Sequence, residues 1–110
     1  MLTLAEIRED LKDIKYYYMR KKIFDKAFES TGVVNDVTMK VEKYNNAVKS
    51  ASPKFYDLYV SLYINNHTQE SLSELMGFTP EYIQQLNKRL LKFFQSKFDG
   101  EKEDNINENN

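Results

Sequence analysis

Apolar residues recur in alternating steps of three and four along the first half of this chain. The first stripe consists of Leu4, Ile7, Leu11, Ile14 and Tyr18. The second stripe consists of Val34, Val37, Val41, Tyr44 and Val48. This spacing places each stripe on one face of an α-helix. Together with a less regular continuation of the first stripe through Phe24 and Phe28, it predicts helices over about 3–29 and 35–50.

Glycine and proline, which interrupt helices, are scarce. The 110 residues include three glycines and two prolines, and no segment has a strong strand pattern, so an all-α fold is predicted. Thr3 and Glu6 have the spacing of a capping box at the start of the first helix. The first two helices are expected to pack as a hairpin over 1–52. A second interpretation of their apolar stripes is a seam between two copies of the chain, in a homodimer.

The second half of the chain has shorter helices separated by turn signals. A third helix is predicted from Pro53 to Tyr63, and Asn65-Asn66 marks a turn after it. Its apolar face consists of Phe55, Leu58, Tyr59 and Leu62.

Two further helices are predicted on either side of a single glycine. Thr68 is a good N-cap for the first, and Gly77 ends it, because glycine adopts the left-handed conformation without strain. Thr79 caps the second, which has Pro80 at its first position and extends to about Phe98. This is the spacing of a helix-turn-helix over 53–98. Its expected shared core consists of Leu72, Met76, Phe78, Ile83 and Leu86, with small Ser73 at the close approach.

The segment 68–83 resembles the helix-turn-helix of the fourth region of bacterial sigma factors. The matching residues are Thr68, Leu72, Ser73, Met76, Gly77, Phe78, Thr79 and Ile83. The whole chain resembles small phage transcriptional regulators of the ArpU/RinA type. These resemblances imply a DNA-binding transcriptional regulator of phage or mobile-element origin, with helix 79–98 in the major groove and RNA polymerase as a further partner.

The expected DNA-contacting residues are Thr68, Thr79, Glu81, Tyr82, Gln84, Gln85, Lys88, Arg89 and Lys92. Gln84 and Gln85 can form paired hydrogen bonds with adenine, and Glu81 can accept from cytosine. The first turns of this helix lack the arginines that are usual in the sigma family. Four basic side chains follow on this helix: Lys88, Arg89, Lys92 and Lys97. They are explained either by contact with phosphates or by a favourable interaction with the helix C-terminus.

Two features of the first helix also have two interpretations. Its basic cluster consists of Lys15, Arg20, Lys21, Lys22 and Lys26, and is either a solvated face or a second phosphate contact. The run 16–18 consists of three tyrosines. It spans most of a helical turn, so at least one ring must lie off the core.

The net charge of −1 is the sum of two unlike parts. Residues 99–110 hold one lysine and five acids, which leaves +3 for residues 1–98. The segment 99–110 has one apolar residue and is predicted to be a disordered acidic tail.

Other patterns argue against several function classes. Cysteine is absent, His67 is the only histidine, and no glycine-rich phosphate loop occurs. No enzyme activity, metal or cofactor is therefore expected. With no signal peptide and no apolar run of membrane-spanning length, a cytoplasmic location is expected. The main hypothesis is a sequence-specific regulator that binds double-stranded DNA. The alternative is an interaction module that binds RNA polymerase or another regulator without touching DNA.

Overall fold

The computed structural model describes residues 2–23 and 36–108, with side chains for 2–21 and 37–100. These residues form five helices and no strand, which confirms the all-α prediction. They are α1 (Leu4–Ile23), α2 (Asp36–Val48), α3 (Pro53–Tyr59, continued by a π-helical turn Val60–Ile64), α4 (Gln69–Met76) and α5 (Pro80–Glu108). None of the described helices is both long enough and apolar enough to cross a membrane.

The apolar stripes of α1 and α2 face the interior, as predicted. The buried members are Ile7, Leu11, Ile14, Val41, Tyr44 and Val48. At the start of α1 the Thr3 hydroxyl accepts a 3.1 Å hydrogen bond from the Glu6 backbone N–H, which gives the helix its expected cap. The predicted continuation of the first helix through Phe24 and Phe28, and the turn at 30–33, lie outside the described residues.

The third helix starts as predicted and ends in a way that the sequence did not predict. Ser52 caps α3 and Pro53 occupies its first turn. From Val60 the backbone widens into a π-helical turn, which the 2.8 Å bond from the Asn65 N–H to the Val60 carbonyl closes. Asn66 then adopts a left-handed conformation, with φ 62°, which asparagine tolerates better than most residues. The predicted turn at 65–66 is confirmed.

Helix α5 is longer than predicted. Its backbone is helical to Glu108, whereas an end near Phe98 was predicted. Gly100 alone does not interrupt the helix, and its glutamate and lysine neighbours have good helix propensity. The side chains after Gly100 lie outside the described residues.

All five helices contribute to one hydrophobic core. Phe94 is fully buried, and its ring contacts Tyr44 of α2 at a centroid distance of 4.8 Å and Tyr59 of α3 at 5.7 Å. Gln95 donates a 3.0 Å hydrogen bond to the Leu2 carbonyl just before α1. Helices α1 and α2 and the residues just before α1 therefore pack against the middle of α5, around Phe94, Gln95 and Phe98.

Candidate nucleic-acid interface

The short helix α4 and the long helix α5 are joined by a sharp turn. Thr68 caps α4 by accepting a 3.0 Å hydrogen bond from the Ser71 N–H. Gly77 ends it in the left-handed conformation, with φ 72°, and its N–H bonds to the Ser73 carbonyl. Ser73 is buried and donates through its hydroxyl to the Glu70 carbonyl at 3.0 Å. A small residue therefore stands at the close approach, as expected.

The start of α5 is fixed by a cap and by its packing on α4. The Thr79 hydroxyl accepts a 3.2 Å bond from the Tyr82 N–H. Ile83 and Leu86 are buried in the same core as Leu72 of α4. Met76 and Phe78 are half-buried against this core, so the five predicted residues do pack there.

The face of α5 opposite the core is open to solvent. Eight of the nine predicted site residues are exposed, and seven of these eight lie on α5 or at its cap. Glu81, Gln85, Lys88 and Lys92 follow one another in steps of four, three and four, so they form a single outward stripe. Thr68 lies on another helix, at the N-terminus of α4, where its hydroxyl serves as a cap.

Tyr82 differs from the other predicted site residues because it is half-buried. Its ring packs edge-on against Phe78, with centroids 4.9 Å apart. Its hydroxyl accepts a 3.2 Å hydrogen bond from Nζ of Lys54 on α3. Lys54 thus places a positive charge beside the start of α5. No pattern in the sequence indicates this contact, because Lys54 and Tyr82 are 28 residues apart and meet only through the packing of α3 and α5.

The middle turns of α5 favour an anionic partner, whereas Glu81 in its first turn and the residues after Phe98 are acidic. Between residues 82 and 98 there are four basic residues and no acid. Lys88, Arg89 and Lys92 are exposed, and no ion pair joins them to a carboxylate among the described residues. Their charges are therefore available to an external anion.

The α1 basic cluster is described only in part. Lys15, Arg20 and Lys21 have described side chains, while those of Lys22 and Lys26 do not. The Arg20 guanidinium lies 5.7 Å from the Tyr16 ring centroid. Tyr16 is more than half exposed, which confirms that one ring of the tyrosine run lies off the core.

A separate cavity of about 570 Å³ lies between α1, α2 and α3. A polar bridge crosses its wall: Tyr59 donates to Asn45 Oδ1 at 2.7 Å, and Asn45 donates to the Tyr18 hydroxyl at 2.9 Å. Burial raises the pKa of Tyr59 above its ordinary value, so this ring is a neutral hydrogen-bonding group rather than a base.

His67 faces the Ser71 hydroxyl at 3.4 Å. No group of three or more potential metal ligands occurs within residues 2–21 and 37–100.

The exposed face of α5 thus combines amide side chains near its start with three basic side chains in the next two turns. Amide side chains can form hydrogen bonds with the edges of nucleobases, and the basic side chains can neutralise phosphates. Comparison with protein-family models, with curated proteins and with solved structures finds no match to this chain.

Proposed function

We propose that this protein is a sequence-specific DNA-binding transcriptional regulator that inserts the N-terminal half of α5 into the major groove. The observation that supports this proposal most strongly is the arrangement of α4 and α5 around Gly77. A short capped helix, a left-handed glycine and a second capped helix with an exposed outer face are the features that we interpret as a helix-turn-helix. An α-helix of this kind fits the width of the major groove.

The exposed residues divide into two chemical roles. Gln84 and Gln85 supply paired donors and acceptors for adenine edges, and Glu81 supplies an acceptor for a cytosine amino group. Lys88, Arg89 and Lys92 supply charge for the phosphates, which positions the helix without reading sequence. The base-reading side chains therefore precede the phosphate-binding ones along the helix.

A selection of bound sequences from a random duplex library, followed by salt-dependent binding measurements, tests this proposal. The wild-type protein should enrich a defined motif. Q84A/Q85A should relax the preference at the contacted positions, by about 1–3 kcal/mol for each lost paired contact. K88A/R89A/K92A should weaken binding to all sequences alike and reduce the salt slope by about 0.9 for each lost phosphate contact.

The control for both variants is R8A/K12A/K15A. It removes three basic side chains that are spaced by four and three residues along α1. It should keep the motif. If folded wild-type protein shifts no duplex at low salt, DNA binding is not its function.

One observation favours a second candidate, an interaction module for RNA polymerase or another regulator. Leu75 on α4 is 68% exposed, and exposed Glu74 precedes it. Burying this side chain against a partner would be favourable, because removal of apolar surface from water drives most protein association. Under this alternative, L75S should lose co-purification with polymerase, and a variant with alanine at Gln84, Gln85, Lys88 and Arg89 should keep it. The opposite pattern would favour DNA.

A further inference from the structure

A second basic surface lies away from the start of α5, where the end of α2 meets the later turns of α5. It is a cleft of about 510 Å³, which we call the lysine cleft. Its lining residues are Lys43, Asn46, Ala47, Lys49, Ser50 and Lys97. Three of these carry positive charge, and none of the described lining residues is acidic.

The three cleft lysines are not neutralised by the described part of the protein. Lys43 places its ammonium 4.3 Å from the Phe98 ring centroid, and Lys49 donates to the Asn46 side-chain carbonyl at 3.2 Å. Neither they nor Lys97 form an ion pair with a described carboxylate. In contrast, Lys40 on the same helix contacts Asp13 at 2.9 Å and Asp10 at 3.3 Å.

Lys40 therefore forms ion pairs with α1, whereas Lys43 and Lys49 line the cleft. Like charges that share a cleft repel one another, so an anion bound between them is stabilised. Amide, hydroxyl and ammonium groups around one space are donors suited to phosphate oxygens.

The lysine cleft lies along one flank of α5. Arg89, Phe93 and Lys97 follow in steps of four and share a stripe on that helix. Phe93 packs on Phe55 of α3, with ring centroids 6.2 Å apart, and one turn later Lys97 lines the cleft opposite the end of α2. The flank is basic at Arg89 and at Lys97.

The other flank of α5 has a different character. Gln84, Lys88 and Gln95 lie on it, and Gln95 bonds to the Leu2 carbonyl. This flank therefore adjoins the start of α1, where the exposed charged residues include Glu6 and Glu9. The flank with Arg89 and Lys97 adjoins the three cleft lysines, whereas the flank with Lys88 adjoins charges of both signs on α1, including Arg8.

Resting on the proposed function, we infer that the lysine cleft binds backbone phosphates of the DNA strand that runs along the Arg89–Lys97 flank of α5. Lys97 follows Gln85 by twelve residues, or about 18 Å along the helix axis. The cleft is therefore well separated from the amide side chains that are proposed to read bases. Its three ammonium groups suit phosphate oxygens, which position a protein on DNA without reading sequence.

The test compares K43A/K49A/K97A with the R8A/K12A/K15A control, which removes the same charge from α1. Anisotropy of a fluorescein-labelled random-sequence duplex, measured over a range of salt concentrations, gives the salt slope. The cleft variant should lose up to about 3 from that slope, since each phosphate contact contributes about 0.9. The control and a K43R/K49R/K97R variant should keep the wild-type slope.

Each outcome has a distinct meaning. An unchanged slope in a folded cleft variant overturns the inference while leaving the proposed function intact. No duplex binding by the wild type overturns both. If inorganic tripolyphosphate binds the wild type tightly but the duplex slope does not change, the cleft is a small-anion site and the inference is wrong. If the triple variant does not fold, K49A and K97A singly should each lower the slope by about 0.9.

Discussion

The buried hydroxyl of Tyr44 donates a 2.7 Å hydrogen bond to Oδ2 of Asp10, and so joins α2 to α1. Lys40 contacts the same carboxylate at 3.3 Å through its other oxygen. The Tyr44 ring is fully buried and packs edge-on against Phe94 and Phe98 of α5. This one side chain of α2 therefore contacts both α1 and α5, the helix that is proposed to bind DNA.

Replacing Tyr44 with phenylalanine should destabilise the fold. The change leaves the ring packing but removes a hydrogen bond to a charged group, which is worth about 1.5–3 kcal/mol. Urea unfolding followed by circular dichroism measures the loss. Y56F is the matched control, because Tyr56 is 46% exposed, and it should leave stability unchanged. Equal stability of the two variants would contradict a structural role for the Tyr44 bond.

Stability should fall at alkaline pH. Burial raises the pKa of Tyr44 and Tyr59 above their ordinary value, and that of Tyr63 to about 12. The unfolded chain loses these protons near pH 10 while the folded protein keeps them. The stabilising effect is therefore complete below about pH 10 and is lost as the pH rises through the folded values. Urea unfolding at several alkaline pH values, with tyrosinate absorbance recorded in parallel, checks this. Ionisation of all eight tyrosines well before unfolding would contradict it.

Alanine at the two described glycines should have opposite effects. A Cβ at Gly77 or Gly100 would meet nothing within 4 Å, so only the backbone differs. G77A forces alanine into a left-handed conformation and should cost about 1–2 kcal/mol. G100A lies within α5 and should stabilise by about 0.5–1 kcal/mol. Urea unfolding measures both. No effect of G100A would show that global unfolding does not involve the helix beyond Phe98.

Substitutions of Thr79 separate its capping role from DNA contact. T79A should cost about 1 kcal/mol, and T79S should not, because serine also caps. T79D should keep the cap and the fold but weaken DNA binding, since its carboxylate would face phosphates. Thermal unfolding and duplex binding are measured on the same samples. Wild-type DNA affinity in T79D would show that the N-terminus of α5 does not lie at the DNA.

Deleting residues 99–110 should tighten nonspecific DNA binding at low salt. The deletion removes a net charge of −4 and leaves +3, so repulsion from phosphates decreases. The gain should shrink as salt screens the charges. A full-length variant with the five acids changed to amides is the control, and it should bind like the deletion. Unchanged affinity in both would show that the acidic segment has no electrostatic effect on binding.

The sequence predicted the elements of the fold better than their contacts. Helix periodicity identified the buried faces of α1, α2 and α5, and cap and turn residues identified Thr68, Gly77 and Asn66. These signals are local, because they depend on residues a few positions apart. The π-helical turn at Val60–Ile64 has no such signal. Helix α1 packs against this turn.

The candidate site was predicted in the same uneven way. The exposed stripe on α5 follows from spacing alone, and the structure places it on one face. Lys54 beside Tyr82, and Lys43 and Lys49 beside Lys97, come together only through packing between helices. Helix crossing angles decide such contacts, and they depend on the shape of the whole core rather than on any short segment.

The position of Tyr44 between Phe94 and Phe98 bears on how such a protein could be engineered. A fragment beginning at residue 53 would expose these two rings, so α4 and α5 cannot simply be transplanted onto another scaffold. New DNA specificity would instead be obtained by changing Gln84, Gln85 and their exposed neighbours within the full chain. The hydrophobic core would remain unchanged while the exposed residues of α5 are varied.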